Sequence, residues 1–137
     1  MALLAIDVGT TGTKAVLFDG TGRLVASAVR EYPLLTPRGS WVEQAAEDWW
    51  QAVVQTVRQV LAAGQPHEVR ALSLSTQGGA WVPLDAWGRP LRPALSWMDK
   101  RAGDIGRRLE AQKGTEWLYR LTGWPVGGGL PLLLTGS

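Results

Sequence analysis

Three apolar stretches of strand length open the chain. Residues 2–7 form a short apolar run that ends on Asp7, as a buried strand would. Residues 14–19 read as a second strand. Residues 23–32 read as a third with partial alternation, Leu24, Ala26 and Ala28 on one side and Val25, Ser27 and Val29 on the other. The links between them are tight. Gly9-Thr10-Thr11-Gly12-Thr13 makes the first, and Asp19-Gly20-Thr21-Gly22 the second, a residue set that tolerates the positive φ of hairpin turns. The three strands therefore predict an antiparallel meander. Pro33, Pro37 and Gly39 break the pattern and mark a loop. From residue 46 to residue 63 the period becomes helical: Trp49, Trp50, Val53, Val57, Val60 and Leu61 recur at spacings of three and four and predict one apolar face. Ala45 and Ala46 sit where a capping Ser or Asp would be favoured. Gly64 and Pro66 supply the stop.

Residues 69–76 alternate and predict a fourth strand, interrupted by Gln77-Gly78-Gly79. A strand over 81–85, a turn over 86–90 and a short strand over 93–97 follow. Residues 99–113 predict a charged helix and 116–121 another helical turn. Gly127-Gly128-Gly129 is a break, and the apolar stretch 130–134 stops almost as it starts, which predicts a truncated domain. Strands mixed with helices define an α/β class, with a mixed sheet that begins as a three-strand meander and is flanked by helices. No internal repeat is visible.

Composition narrows the function classes. A chain of 137 residues, 45% hydrophobic and 19% charged, fits one soluble domain with a real core. No apolar run approaches the roughly 20 residues that span a bilayer, and no basic leader precedes Asp7. There is no cysteine, hence neither a disulfide framework nor thiolate chemistry. The expected location is cytoplasmic. The net charge is +2, and the basic residues are scattered apart from Lys100-Arg101 and Arg107-Arg108. Nucleic-acid binders concentrate charge into a stripe or patch, so neither nucleic acid nor membrane is an expected partner. Seventeen glycines direct attention to tight turns, and eight tryptophans to a large core or a stacking surface.

The richest segment is Ile6-Asp7-Val8-Gly9-Thr10-Thr11-Gly12-Thr13-Lys14. Glycines let a backbone approach phosphate closely, while backbone N–H groups and Thr hydroxyls donate to its oxygens. A carboxylate cannot face phosphate directly without repulsion. It is useful if it holds Mg²⁺, which prefers carboxylates together with substrate phosphates. The plain alternative is a Gly/Thr-rich hairpin turn. The segment is not a P-loop, because it joins two strands and lacks the Gly-Lys-Ser/Thr ending.

This arrangement resembles the ribonuclease-H-like domains of the actin, heat-shock chaperone and sugar-kinase superfamily. Further motifs resemble one branch of it, the FGGY carbohydrate kinases, which include xylulokinase and glycerol kinase. They are Gly39-Ser40-Trp41-Val42-Glu43-Gln44 with Glu47-Asp48-Trp49-Trp50, Leu72-Ser73-Leu74-Ser75-Thr76-Gln77, the stretch from Gly88 to Arg101 containing Leu91-Arg92-Pro93-Ala94 and Trp97-Met98-Asp99-Lys100-Arg101, and Thr122-Gly123. They occur in family order over nearly the whole chain.

The resemblance implies ATP-dependent phosphorylation of a sugar or polyol hydroxyl, with ATP and Mg²⁺ as cofactors. Asp7 would organise the metal. Gly9, Thr10, Thr11, Gly12 and Lys14 would line the phosphate path, although the Lys14 side chain has the plain alternative of pointing outward. Gln77, Gly78, Gly79, Trp97, Asp99 and Arg101 would belong to the substrate side, with Trp97 as a stacking wall. Asp99 and Arg101 have a bland alternative as a surface ion pair at a helix start. Gly78-Gly79 departs from the family, whose xylulokinases carry Met-His there and whose glycerol kinases carry Arg-Glu, and this removes any named substrate. Trp81 is a candidate to fill the space. The resemblance also places the general-base Asp beyond Ser137 and the adenosine site in a second domain. Residues 1–137 are then a partial N-terminal domain, inactive alone, of a protein that could form a homodimer. A non-catalytic nucleotide- or sugar-binding module and a scaffold that kept only the fold are the other readings. His67 is expected to be a solvent-facing loop residue.

Overall fold

The computed structural model describes residues 1–64 and 68–124. Pro66, His67, the 127–129 glycines and the apolar 130–134 stretch lie outside them. The chain divides into two compact units, Met1–Pro33 with Ala45–Gln77, and Leu34–Gln44 with Gly78–Ser137.

The first unit holds the expected meander. Strands β1 (Ala2–Val8), β2 (Gly12–Asp19) and β3 (Leu24–Glu31) are antiparallel neighbours, and β5 (Val69–Thr76) adds to β1 in parallel, giving the order β3-β2-β1-β5. Strand alternation sends Leu4, Ile6, Ala15, Leu17, Ala26 and Ala28 to one face, where they bury against Val60 of helix α1 (Ala46–Ala63). A register shift between Leu17 and Phe18 brings Val25 onto this core, although strict alternation had grouped it with Ser27 and Val29. The second link is built as its residues suggest. Asp19 Oδ1 accepts from the N–H groups of Thr21 and Arg23 and from the Thr21 hydroxyl, and Gly22 has φ +84°. These three bonds hold the Asp19 carboxyl below its ordinary range.

Helix α1 has the expected bounds and no side-chain cap at Ala45; Glu47 and Asp48 complement its N-terminal dipole instead. Val53, Val57 and Val60 of the expected face pack on the core, but the rest of the buried stripe differs. Ala52, Thr56 and Val60 are buried, while Trp50 is 61% exposed and Leu61 is exposed too. Thr56 is tolerated inside because its hydroxyl donates back to the Ala52 carbonyl at 2.8 Å. Leu72 and Leu74 of β5 pair with Leu4 and Ile6 and so point to the same face as the α1 core. Each is nonetheless 59% exposed, because α1 packs chiefly over β2 and β3.

The second unit is looser in regular structure. Strand β4 (Glu43–Gln44) pairs antiparallel with β6 (Ala94–Leu95), followed by α2 (Gly103–Lys113) and α3 (Thr115–Thr122). The strand expected over 81–85 is reduced to the bridges Trp81↔Leu95 and Leu84↔Pro90, and the one expected over 93–97 to two residues. Helix α2 starts four residues later than its charge pattern suggests, so Asp99 stands in the turns that precede it. Trp81 packs with Ile105 and Leu109 around buried Leu95 and Ala102. The turn at Asp85 repeats the one at Asp19: Asp85 Oδ1 accepts from the N–H groups of Trp87 and Arg89, and Gly88 has φ +78°.

Candidate functional site

In the first unit, Asp7 lies near the carboxyl end of β1, opposite Lys14 on β2 and Ser75 on β5. These three positions share the sheet face away from α1, and the Asp7 and Lys14 side chains are exposed. The Gln77 N–H donates to the Val8 carbonyl at 2.8 Å, which fixes Gln77 beside the same strand end. In open α/β sheets, ligands bind outside the carboxyl ends of parallel strands, and β1 and β5 are the parallel pair.

The turn after β1 is held from both sides. The Gly9 N–H donates to the Gly12 carbonyl at 2.9 Å, and the Tyr32 N–H to the Thr11 carbonyl at 3.2 Å. A Cβ on Gly12 would lie 2.9 Å from the Arg30 carbonyl oxygen and 3.3 Å from Glu31 Cα. Glycine is required there by the closeness of β3, a reason the sequence reading did not contain. Tyr32 was also missed. Its hydroxyl donates to the Gly9 carbonyl at 2.6 Å and accepts from the Thr13 hydroxyl at 3.4 Å. Its only sequence signal was its place at the end of the third strand.

For Mg²⁺ the fit is that of a shared site. Asp7 offers one exposed carboxylate, and the described residues contain no group of three or more His, Cys, Asp or Glu able to hold a metal. Magnesium bound there would take its remaining ligands from phosphate oxygens and water, its usual coordination in phosphotransfer sites.

The second unit carries an ion cluster. Arg101 Nη2 lies 2.7 Å from Asp99 Oδ2 and 2.6 Å from Glu43 Oε1, and its Nε donates to Asp99 Oδ1 at 2.9 Å. The Val42 N–H donates to Asp99 Oδ2 at 2.7 Å, and Arg92 reaches Glu43 at 2.8 Å. The Asp99 and Arg101 side chains are 0% and 5% exposed, so the alternative of a surface ion pair is replaced by a buried one. Burial pushes the Asp99 carboxyl up. The bonds from the Arg101 side chain and from the Arg101 and Val42 N–H groups outweigh it and hold the carboxyl below its ordinary range. For Arg101, burial works against the charge, and Asp99 and Glu43 together raise the guanidinium above its ordinary value.

Trp97 follows β6 and is 45% exposed. A Cβ on Gly78 would meet nothing within 4 Å. Gly79 has φ +79°, in the left-handed region that favours glycine. Trp81 packs on the Leu95 cluster, within its own unit.

The sequence signature of the FGGY family of carbohydrate kinases, N-terminal domain, matches residues 2–134, and the chain belongs to that family. It is 35% identical over 124 residues to glycerol kinase of Lactobacillus delbrueckii subsp. bulgaricus, covering 88% of this chain and 25% of the relative. It is 32% identical over 130 residues to gluconokinase of Bacillus subtilis, covering 95% and 25%. The ligand-bound xylulose kinase of Lactobacillus acidophilus superposes with a TM-score of 0.90 at 27% identity, covering 97% of this chain and 27% of that one. The mixed α/β architecture is thus that of sugar kinases, and the chain spans about a quarter of the length of the curated relatives it matches. No helix among the described residues is long and apolar enough to cross a membrane.

Proposed function

We propose that the full-length protein transfers the γ-phosphoryl group of ATP to a hydroxyl of a sugar or polyol. The observation that carries this reading is the strand-end turn: an exposed carboxylate, Asp7, beside a glycine-hydroxyl hairpin, in a chain of the carbohydrate-kinase family. In the reaction the acceptor oxygen bonds to the γ-phosphorus, the bond to the β,γ-bridging oxygen breaks, ADP leaves, and a carboxylate takes the hydroxyl proton. Bound Mg²⁺ supplies charge neutralisation. The turn Gly9-Thr10-Thr11-Gly12 lines the phosphate path, with its glycines letting the backbone come close, and exposed Lys14 adds positive charge on the face it shares with Asp7. Trp97 offers an aromatic face to the C–H surface of the acceptor, with Gln77, Gly78 and Gly79 shaping the acceptor's surroundings. Asp99 and Arg101 act by holding the segment that carries Trp97.

Residues 1–137 constitute part of an N-terminal domain in this reading. The general base and the adenosine site belong to the rest of a cytoplasmic enzyme, and this chain alone does not turn over. A non-catalytic module gains no support from relatives named as kinases. The relatives cited act, by name, on three different acceptors, so the acceptor must be measured. The test is ADP release by the full-length protein with a panel of pentoses, hexoses, aldonates and polyols. The reading expects Mg²⁺-dependent turnover with at least one acceptor, and with glycerol and xylulose not preferred. Absence of turnover with every acceptor would overturn it.

A further inference from the structure

Tyr32 is buried at the end of β3, and its hydroxyl is used twice, as acceptor from Thr13 and as donor to the Gly9 carbonyl. Thr13 is itself fully buried. With the Thr13 proton directed at the tyrosine oxygen, the tyrosine's own proton goes to Gly9, at 2.6 Å, the shorter of the two bonds. The backbone N–H of the same residue ties the Thr11 carbonyl. One residue therefore fixes carbonyls on both sides of Thr10.

A trans peptide is planar, with its C=O and N–H on opposite sides. No cis peptide bond is present among the described residues. When Tyr32 draws the Gly9 carbonyl inward, the Thr10 N–H of the same peptide faces away from Tyr32. The Thr11 carbonyl, held by the Tyr32 N–H, sets the next peptide plane but one in the same way. Without these ties a peptide of the turn can flip and aim its carbonyl oxygen, which repels phosphate, outward. Gly12 makes the contact possible, since a Cβ there would collide with β3. Burial, followed by the nearby Asp7 charge, pushes the Tyr32 hydroxyl above its ordinary range, so it stays a donor throughout the neutral range.

We propose that Tyr32 is a positioning residue for phosphotransfer, which holds the Gly9 and Thr11 carbonyl oxygens turned in toward itself and so out of the phosphate path. The proposal rests on the kinase reading above. It assigns Tyr32 no contact with substrate and no proton transfer.

The test uses the full-length protein with Tyr32→Phe, which keeps the ring and removes the hydroxyl. Calorimetry measures binding of a non-hydrolysable ATP analogue with Mg²⁺ and, separately, of the best acceptor from the panel; thermal unfolding is followed in parallel. The expected result is nucleotide affinity weakened about tenfold, the scale of one well-placed hydrogen bond, with acceptor affinity within about twofold of the parent. Placing 4-aminophenylalanine at position 32, which restores a donor, should recover nucleotide affinity. Unchanged nucleotide affinity in Tyr32→Phe overturns the proposal. So does an equal loss for nucleotide and acceptor accompanied by a lowered melting temperature, which is the signature of a merely structural tyrosine. If Tyr32→Phe does not accumulate as folded protein, 4-fluorophenylalanine, which fills the hydroxyl's space without donating, decides the question by the same readouts. A parent that binds the analogue but phosphorylates no acceptor fails the kinase reading alone, and the Tyr32 comparison is still read from binding.

Discussion

Glu43 and Arg101, 58 residues apart in sequence, meet at 2.6 Å with side chains only 10% and 5% exposed. The same guanidinium lies 3.8 Å from the centroid of the Trp41 ring. This joins the Gly39–Gln44 motif to the Trp97–Arg101 motif, two segments that the sequence presents as separate signatures. The second partner of Glu43, Arg92, is 39% exposed, so water screens it and the Arg101 pair dominates. Replacing Glu43 by Ala leaves Arg101 with one carboxylate fewer in a buried place. Asp99 still neutralises Arg101, so the expected loss is that of one buried partner, about 1–3 kcal/mol in urea unfolding, against less than about 1 kcal/mol for Arg92→Ala. Equal losses for the two would show that burial does not set the ranking.

Asp99 gives this cluster a pH dependence. Its folded carboxyl titrates below its unfolded value, so its contribution is present above the unfolded value of about 3.9 and is lost as pH falls through the folded one. At neutral pH the parent should be more stable than Asp99→Asn. The gap should narrow as the pH drops below about 4. Urea midpoints for both proteins from pH 7 to pH 3 check this, and a gap independent of pH contradicts it.

Much of the first unit was legible because its signals are local. The helix bounds at Ala46 and Ala63 follow from period and flanking residues, and the Asp19 turn from residue types that bond to their own backbone. What was not legible depends on neighbours distant in sequence. Trp50 fits a helical face by spacing, yet it is 61% exposed, and buried Thr56 takes the place of an apolar residue. Asp99 and Arg101 were recognised as a pair, but their burial comes from Val42, Glu43 and Trp41 on another segment. Tyr32 carried no motif, because its role arises only when β3 is laid against β2. The Asp7 turn itself was found by its chemistry, a carboxylate beside glycines and hydroxyls at a strand end.

The glycines separate by cause. Gly64 supplies the helix stop with φ −81°, and a Cβ there would lie 2.5 Å from Leu17 Cδ2 and 3.2 Å from Val25 Cγ1. Gly64→Ala should therefore destabilise by about 1–3 kcal/mol through overpacking. Gly79→Ala should lose about 1–2 kcal/mol through its positive φ, and Gly78→Ala should change stability by less than about 0.5 kcal/mol. Thermal or urea unfolding of the three variants gives the order. A Gly78 variant as damaged as the Gly64 one would contradict the open space found at that position.

For Trp97, the account expects a loss confined to the acceptor. Trp97→Ala in the full-length protein should raise the acceptor KM by about fivefold to thirtyfold, as for an aromatic contact worth about 1–2 kcal/mol, while the ATP KM changes little. Steady-state kinetics with each substrate varied in turn checks this. Equal losses for both substrates would make Trp97 a packing residue.

Asp7 is proposed to serve phosphoryl transfer and not folding. Its side chain is exposed, and no described hydrogen bond or ion pair of the fold depends on it, so Asp7→Asn should leave the melting temperature nearly unchanged. Removing a charge that organises Mg²⁺ against the transferring phosphate should lower the rate by about 10²–10³. The decisive measurement is kcat of the full-length parent and of Asp7→Asn with the best acceptor at saturating Mg²⁺, alongside their thermal unfolding. The account predicts a folded variant with kcat reduced at least a hundredfold. A folded variant with parental, Mg²⁺-dependent turnover would contradict it.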